Sequence, residues 1–195
     1  MLDRVTAEAR AVLTEEDALL VRAALEPCLA ERDVRIADDH DTRLLHPART
    51  IRVLIADAQC RNAAALAAAA FVDTADPDLV PPFDFVAPHH GRIDVYAVRA
   101  VLSQVPVPVA GSDDLLERLV TAPADAAVVA LAERLDQVRH LHLRPELPWE
   151  EHYAQVREVY FPAAQRLAPG LARRMHRWAD AFERRLLLRR RPDLQ

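Results

Sequence analysis

Apolar residues recur along most of this chain at the three- and four-residue spacing of a helix, broken by prolines and short polar runs. Thr14-Glu15-Glu16-Asp17 offers a hydroxyl cap with acids in the first turn, followed by Leu19, Leu20, Ala23 and Ala24 on a helical period. The spacing predicts a helix ending near Pro27 or shortly after Leu29. After a polar segment from Glu31 to Arg43, Pro47 suits the first turn of a helix whose Ile51, Leu54, Ile55 and Ala58 share one face. Asn62 then caps a helix through Leu66, Ala69 and Ala70. Asp73 falls seven residues beyond Leu66, on the same inward stripe. A carboxylate there must be paired, hydrogen-bonded or metal-bound; Arg49 and Arg139 are candidate partners.

Pro77 to Gly111 is the least helical part, with Pro81-Pro82, Pro88, Pro106, Pro108 and an alternating Ile93, Val95, Ala97. It reads as a long loop around one helix or hairpin, a lid or partner surface or a plain insertion. Ser112-Asp113-Asp114 can cap a short helix at Leu115 to Val120, and Pro123 opens a long helix to about Leu143. In that helix Val128, Leu131, Leu135, Val138 and His142 should face the core. Glu133, Gln137 and His140 form a parallel polar stripe that can edge a pocket or face solvent. Two further helices carry Trp149, Tyr153, Val156, Tyr160 and Leu167, with a kink at Pro162, and then Leu171, Met175, Trp178, Phe182 and Leu186. Arg189-Arg190-Arg191 reads as a basic tail.

Composition supports the helical reading: Ala and Leu abound, and there are only 3 glycines in 195 residues. The expectation is an all-α fold, one helical bundle with a core from about 12 to 188 and a long Pro-rich central loop. All 25 basic residues are arginine, and against 30 acids they leave a net charge of -5, which argues against nucleic acid as a partner. Cys28 and Cys60 lack CxxC spacing and read as buried or free thiols of a reducing compartment. Charges interrupt the N-terminal segment and no run reaches membrane-spanning length, so a cytoplasmic protein without a membrane partner is expected.

Four segments carry a resemblance: HPARTIRVL at 46 to 54, AAAFVDTAD at 68 to 76, ALAERLDQVRHL at 130 to 141 and YFPAAQRLAPG at 160 to 170. In order and spacing the chain resembles the HD-superfamily metal hydrolases, most of all the hydrolase domain of the RelA/SpoT alarmone enzymes. That resemblance implies an HD-type bundle. His46 would match the first metal-binding His, Asp73 the Asp of the His-Asp pair and Glu133 the last Asp ligand. Asp76 would stand where the family has a Glu that orients the attacking water, Gln137 for an Asn that contacts substrate, and Arg35 for an Arg that stacks on a guanine base.

The chain departs from the pattern at Val72, where the His of the pair is expected, and at Pro77, which replaces an acid of the water-orienting step. His40, His89, His90 or His140 could supply the missing nitrogen. The resemblance implies a manganese-like divalent metal, weakened by Val72, and a nucleotide or phosphate-ester ligand. Two functions follow from it: a pseudo-hydrolase that binds a nucleotide or partner, or an active phosphohydrolase on guanosine polyphosphates. A helical interaction module without a pocket is a third.

Overall fold

A computed structural model describes residues 1–35, 42–83 and 95–189, the side chains of 33–35, 42–43 and 186–189 excepted. All regular structure among the described residues is helical, as the apolar spacing predicts. The helices are α1 (Leu2–Arg10), α2 (Glu15–Arg35), α3 (His46–Ala56), α4 (Ala63–Ala69), α5 (Val95–Leu102), α6 (Leu115–Thr121), α7 (Ala124–Arg139), α8 (Trp149–Gln155), α9 (Phe161–Leu167) and α10 (Pro169–Arg189). None is long and apolar enough to cross a membrane. The segments 36–41, 84–94 and 190–195 lie outside the described residues; they include His40, His89, His90, Pro88, Ile93 and the basic tail beyond Arg189.

Helix α7 is the axis of the fold, packed against α3, α4, α5, α6, α9 and α10. Every residue from Val129 to Asp136 is buried. A helix buried all round has no polar face to give to solvent, so any charge on it must be answered from within. The predicted single core stripe is therefore too narrow. The helix also stops at Arg139 rather than Leu143, with a 3₁₀ turn over Leu141–Leu143, so His142 lies beyond its end and is only partly buried.

Two boundaries differ from expectation at the N-terminal end. Helix α1 was not anticipated; its Val5 and Ala9 join the main core, which thus begins well before residue 12. Helix α2 starts as predicted, with the Thr14 hydroxyl accepting from the Asp17 N–H at 3.2 Å, but it continues through Pro27 to Arg35. Pro27 removes one ladder bond. Against that loss, Val21, Leu25, Cys28 and Arg32 form one fully buried stripe that runs straight past the proline.

The capping of α4 by Asn62 is as expected, its side chain accepting from Ala64 and Ala65 N–H. Pro162 leaves its mark without a break: Val156–Tyr160 is a π-helical turn joining α8 to α9, which absorbs the missing donor. Gly170 is required by close packing, since a Cβ there would strike the Asp57 carbonyl. A smaller cluster of Leu141, Leu147, Trp149, Tyr153, Trp178 and Phe182 joins α8 to α10. Both cysteines are free thiols, and burial pushes Cys28 up to about 12.

Candidate functional site

Two helix termini and α7 bring the site together. Pro47 starts α3 and sets His46 at its first position, buried against α7. Beyond α4 the chain tightens through 3₁₀-type bonds from Phe71 and Val72 and delivers Asp73 inward. There the Asp73 Oδ1 accepts from the Ala75 N–H at 3.2 Å and the Asp76 N–H at 3.0 Å, closing an Asx turn. Glu133 Oε1 holds the same turn from α7, accepting from the Thr74 N–H at 2.9 Å and the Thr74 hydroxyl at 2.7 Å. Gln137, one turn further along α7, donates to Glu133 and to the Thr74 hydroxyl.

His46, Asp73 and Glu133 are all buried, and each offers a ligand atom within 4.8 Å of the others. That spread exceeds the roughly 4.2 Å between opposite ligands of a first-row ion by only a few tenths. The His46 Nδ1 lies 2.8 Å from Asp136 Oδ2, which leaves Nε2 as the nitrogen for a ligand. Nε2 is buried and has no hydrogen-bond partner among the described residues. A carboxylate behind a histidine, with the other nitrogen bare, is the usual support of a metal-bound imidazole. The residues present therefore fit a divalent ion: His46 Nε2, a carboxylate oxygen of Asp73, and Glu133, whose Oε2 receives no donor among the described residues.

Arginines compete for the same acids. Arg32, fully buried, donates to Asp73 Oδ2 at 2.7 Å. Asp73 thus pairs with α2, not with Arg49 or Arg139, because α2 continues past Pro27 far enough to deliver Arg32. Arg49 is taken by Asp136 instead, at 2.9 and 3.0 Å from its two oxygens. Burial favours the neutral form of His46, but the Asp136 hydrogen bond and the Asp73, Asp136 and Glu133 charges outweigh it and raise its pKa. Burial likewise raises Asp136, and the bonds from His46 and Arg49 overcome this and lower it.

A cavity of about 60 Å³ opens beside this cluster, lined among others by His46, Asp73, Asp136, Gln137 and His140. It holds on the order of a few waters, enough for an ion or a small polyatomic group but not for a nucleoside. A wider groove of about 540 Å³ lies next to it, walled by Phe71, Val72, Leu102 and Val105, and shares Asp73, Arg134, Gln137 and His152 with the cavity.

The expected site residues thus sort into four groups. His46, Asp73, Glu133 and Gln137 come together. Asp76 stands at the cavity rim, half-buried, with its carboxylate 3.4 Å from Arg144. The Arg35 side chain lies outside the described residues, although its backbone ends α2. His140 lines the cavity, but its Nδ1 sits 2.8 Å from the Asp136 carbonyl and burial lowers its pKa. Sequence reasoning missed Asp136, Thr74, Arg32 and Arg134. Asp136 stands three residues after Glu133, a spacing that marks a shared face; reading the helix as one narrow stripe hid it.

The fold and site define a helical protein with a buried His-Asp-Glu centre capable of holding a cation. No family model, curated protein or solved structure matches the chain, so its class rests on these residues.

Proposed function

We propose that this chain is an HD-type domain, similar to the alarmone hydrolases, that holds a divalent metal and a nucleotide or other phosphate ester but turns it over poorly or not at all. The observation that carries the reading is the convergence of His46, Asp73 and Glu133, with Asp136 behind the imidazole and Nε2 bare. An ion held there would lower the pKa of a bound water and offset phosphate charge.

Weak turnover follows from what surrounds those ligands. Val72 is an apolar groove wall where the resemblance expects a nitrogen donor. Asp73 already carries the Arg32 guanidinium on one oxygen and two backbone donors on the other, which reduces its basicity toward a metal. Asp76, the candidate water-orienting acid, has Arg144 nearby and Pro77 after it. Gln137 is well placed to touch a ligand, because its amide sits between Glu133 and Thr74 at the mouth of both cavity and groove.

The test is manganese titration calorimetry, followed by hydrolysis assays on guanosine tetraphosphate with metal present. Saturable manganese binding that is lost in His46→Ala, with turnover at or near background, is the expected result. Rapid hydrolysis abolished by His46→Ala would instead make the protein an active phosphohydrolase. Absence of manganese binding would remove the metal centre altogether.

A further inference from the structure

Arg134 is a buried cation with no anion to match it among the described residues. Its side chain follows Glu133 on α7 and the residue is 5% exposed. Its contacts are all neutral: Nη2 donates to the Tyr160 hydroxyl at 3.3 Å, Nη1 lies 3.4 Å from His152 Nδ1, and the guanidinium stacks 4.9 Å from the Tyr160 ring centre. The Nε is buried without a partner, and no carboxylate among the described residues pairs with this arginine. Tyr160 does not supply the missing charge, because burial raises its hydroxyl pKa and keeps it protonated. His152 is kept neutral by burial and by the adjacent Arg134 charge. With Nδ1 facing the guanidinium as acceptor, its proton lies on Nε2, the far side of the ring.

Burying a cation without a counter-charge is strongly unfavourable, so a position of this kind is held in reserve for a charge that arrives. Arg134 and His152 line both the small cavity beside the metal ligands and the apolar groove. The cavity suits one small polyatomic group, while the groove has room for a ring or chain against Val72 and Leu102. A phosphate monoester suits such a junction better than a carboxylate, since its dianion brings more charge to Arg134 while its ester oxygen carries the organic part toward the groove.

We propose that Arg134 and His152 form the subsite for a phosphoryl group whose apolar remainder lies in the groove against Val72 and Leu102. The phosphoryl identity rests on the function proposed above; the need for an anion rests on Arg134 alone. Val72 on this reading is a wall for the organic part of the ligand, a role for which a valine is suited and a metal-binding histidine is not.

The experiment is calorimetric titration of the whole protein in EDTA with inorganic phosphate, phenyl phosphate and benzoate. Phenyl phosphate should bind about tenfold more tightly than inorganic phosphate through ring burial, and benzoate more weakly than either. Arg134→Met should weaken both phosphates about tenfold or more while the helical circular dichroism is unchanged. Val107→Glu, on the exposed groove wall, should weaken phenyl phosphate far more than inorganic phosphate. Undiminished phosphate binding in folded Arg134→Met overturns the subsite, and benzoate binding as tightly as phenyl phosphate overturns the phosphoryl assignment. Should Arg134→Met fail to fold, His152→Leu and Val107→Glu decide, and no phosphate binding by the wild type below about 10 mM overturns the proposal outright. Manganese binding is measured separately without phosphate, so the metal centre and this subsite fail independently.

Discussion

Two sets of buried charges meet around helix α7, and they are built differently. Asp73 and Asp136 are answered by opposite charges: Arg32 on the one, His46 and Arg49 on the other. Glu133 and Arg134, neighbours in sequence, are answered among the described residues by neutral groups: Thr74 and Gln137 on the acid, Tyr160 and His152 on the base. Matched pairs cross-link segments distant in sequence, and each acid in them has its counter-charge within the fold. The unmatched pair is where outside charge is called for, a cation at Glu133 and an anion at Arg134. The two sets thus differ in their partners, while His46 and Asp73, which stand in the matched set, also offer ligand atoms to the centre.

Breaking the matched set should have the largest effect on folding. Arg32→Met leaves Asp73 buried without its cation and should destabilise the protein by about 3–5 kcal/mol in urea denaturation. Arg32→Met with Asp73→Asn should recover much of that loss, because both charges are then gone. A loss below about 1 kcal/mol in the single variant would place Arg32 among the unmatched charges and undo the contrast.

Asp136→Asn comes next. Asn retains one acceptor for Arg49 or His46, but both charge-assisted bonds are weakened, for about 1.5–3 kcal/mol of stability. It also releases the imidazole from its fixed orientation, and manganese affinity should fall about 10–100-fold. Unchanged manganese affinity in a folded variant would mean that Asp136 supports only the fold.

How far the sequence could anticipate this division depended on the period read from it. Helices α3, α4 and α6 and their starts, and helix α10, were legible because each has a local signal: Pro47 at the first turn, Asn62 as a cap, the Ser112-Asp114 turn, and an apolar stripe through Met175. His46, Asp73, Glu133 and Gln137 were legible through motif order and Asp73 through its inward position. Arg32 was hidden because Pro27 argues locally for a helix end, whereas burial of the stripe carries α2 onward. Asp136 and Arg134 were hidden because α7 is enclosed by six neighbours. In a helix buried all round, no sequence period separates a charge that faces a partner from one that faces water.

Glu133→Gln tests the unmatched side. The amide oxygen of Gln can accept from Thr74 as the carboxylate does, and no cation is left stranded, so stability should change by less than about 1 kcal/mol. Manganese binding should nevertheless be lost, since the site is left with one carboxylate that Arg32 already shares. This is the reverse of Arg32→Met, in which folding suffers first. A Glu133→Gln protein destabilised as much as Arg32→Met would show that Glu133 is a structural charge.

The smallest effect, and the finest test of the contrast, is the shape of stability against pH. Asp136 has a folded pKa below its unfolded value, so its contribution is present above about pH 4 and is lost as pH falls through the folded pKa. His46 has a folded pKa above its unfolded value, so its contribution is present below about pH 6.5 and is lost as pH rises through the raised pKa. Together they give a plateau of stability between about pH 4 and 6.5, with a decline on each side. Asp136→Asn removes the acidic group and the chief partner that raises His46, so both declines should flatten in urea midpoints measured from about pH 3 to 9. Glu133→Gln should leave the decline above about pH 6.5 nearly unaltered, Glu133 being the last of the influences on His46. If the Asp136→Asn profile superimposes on that of the wild type, the His46–Asp136 pair does not carry the matched charge assigned to it, and the distinction between the two sets would then rest on Arg32 alone.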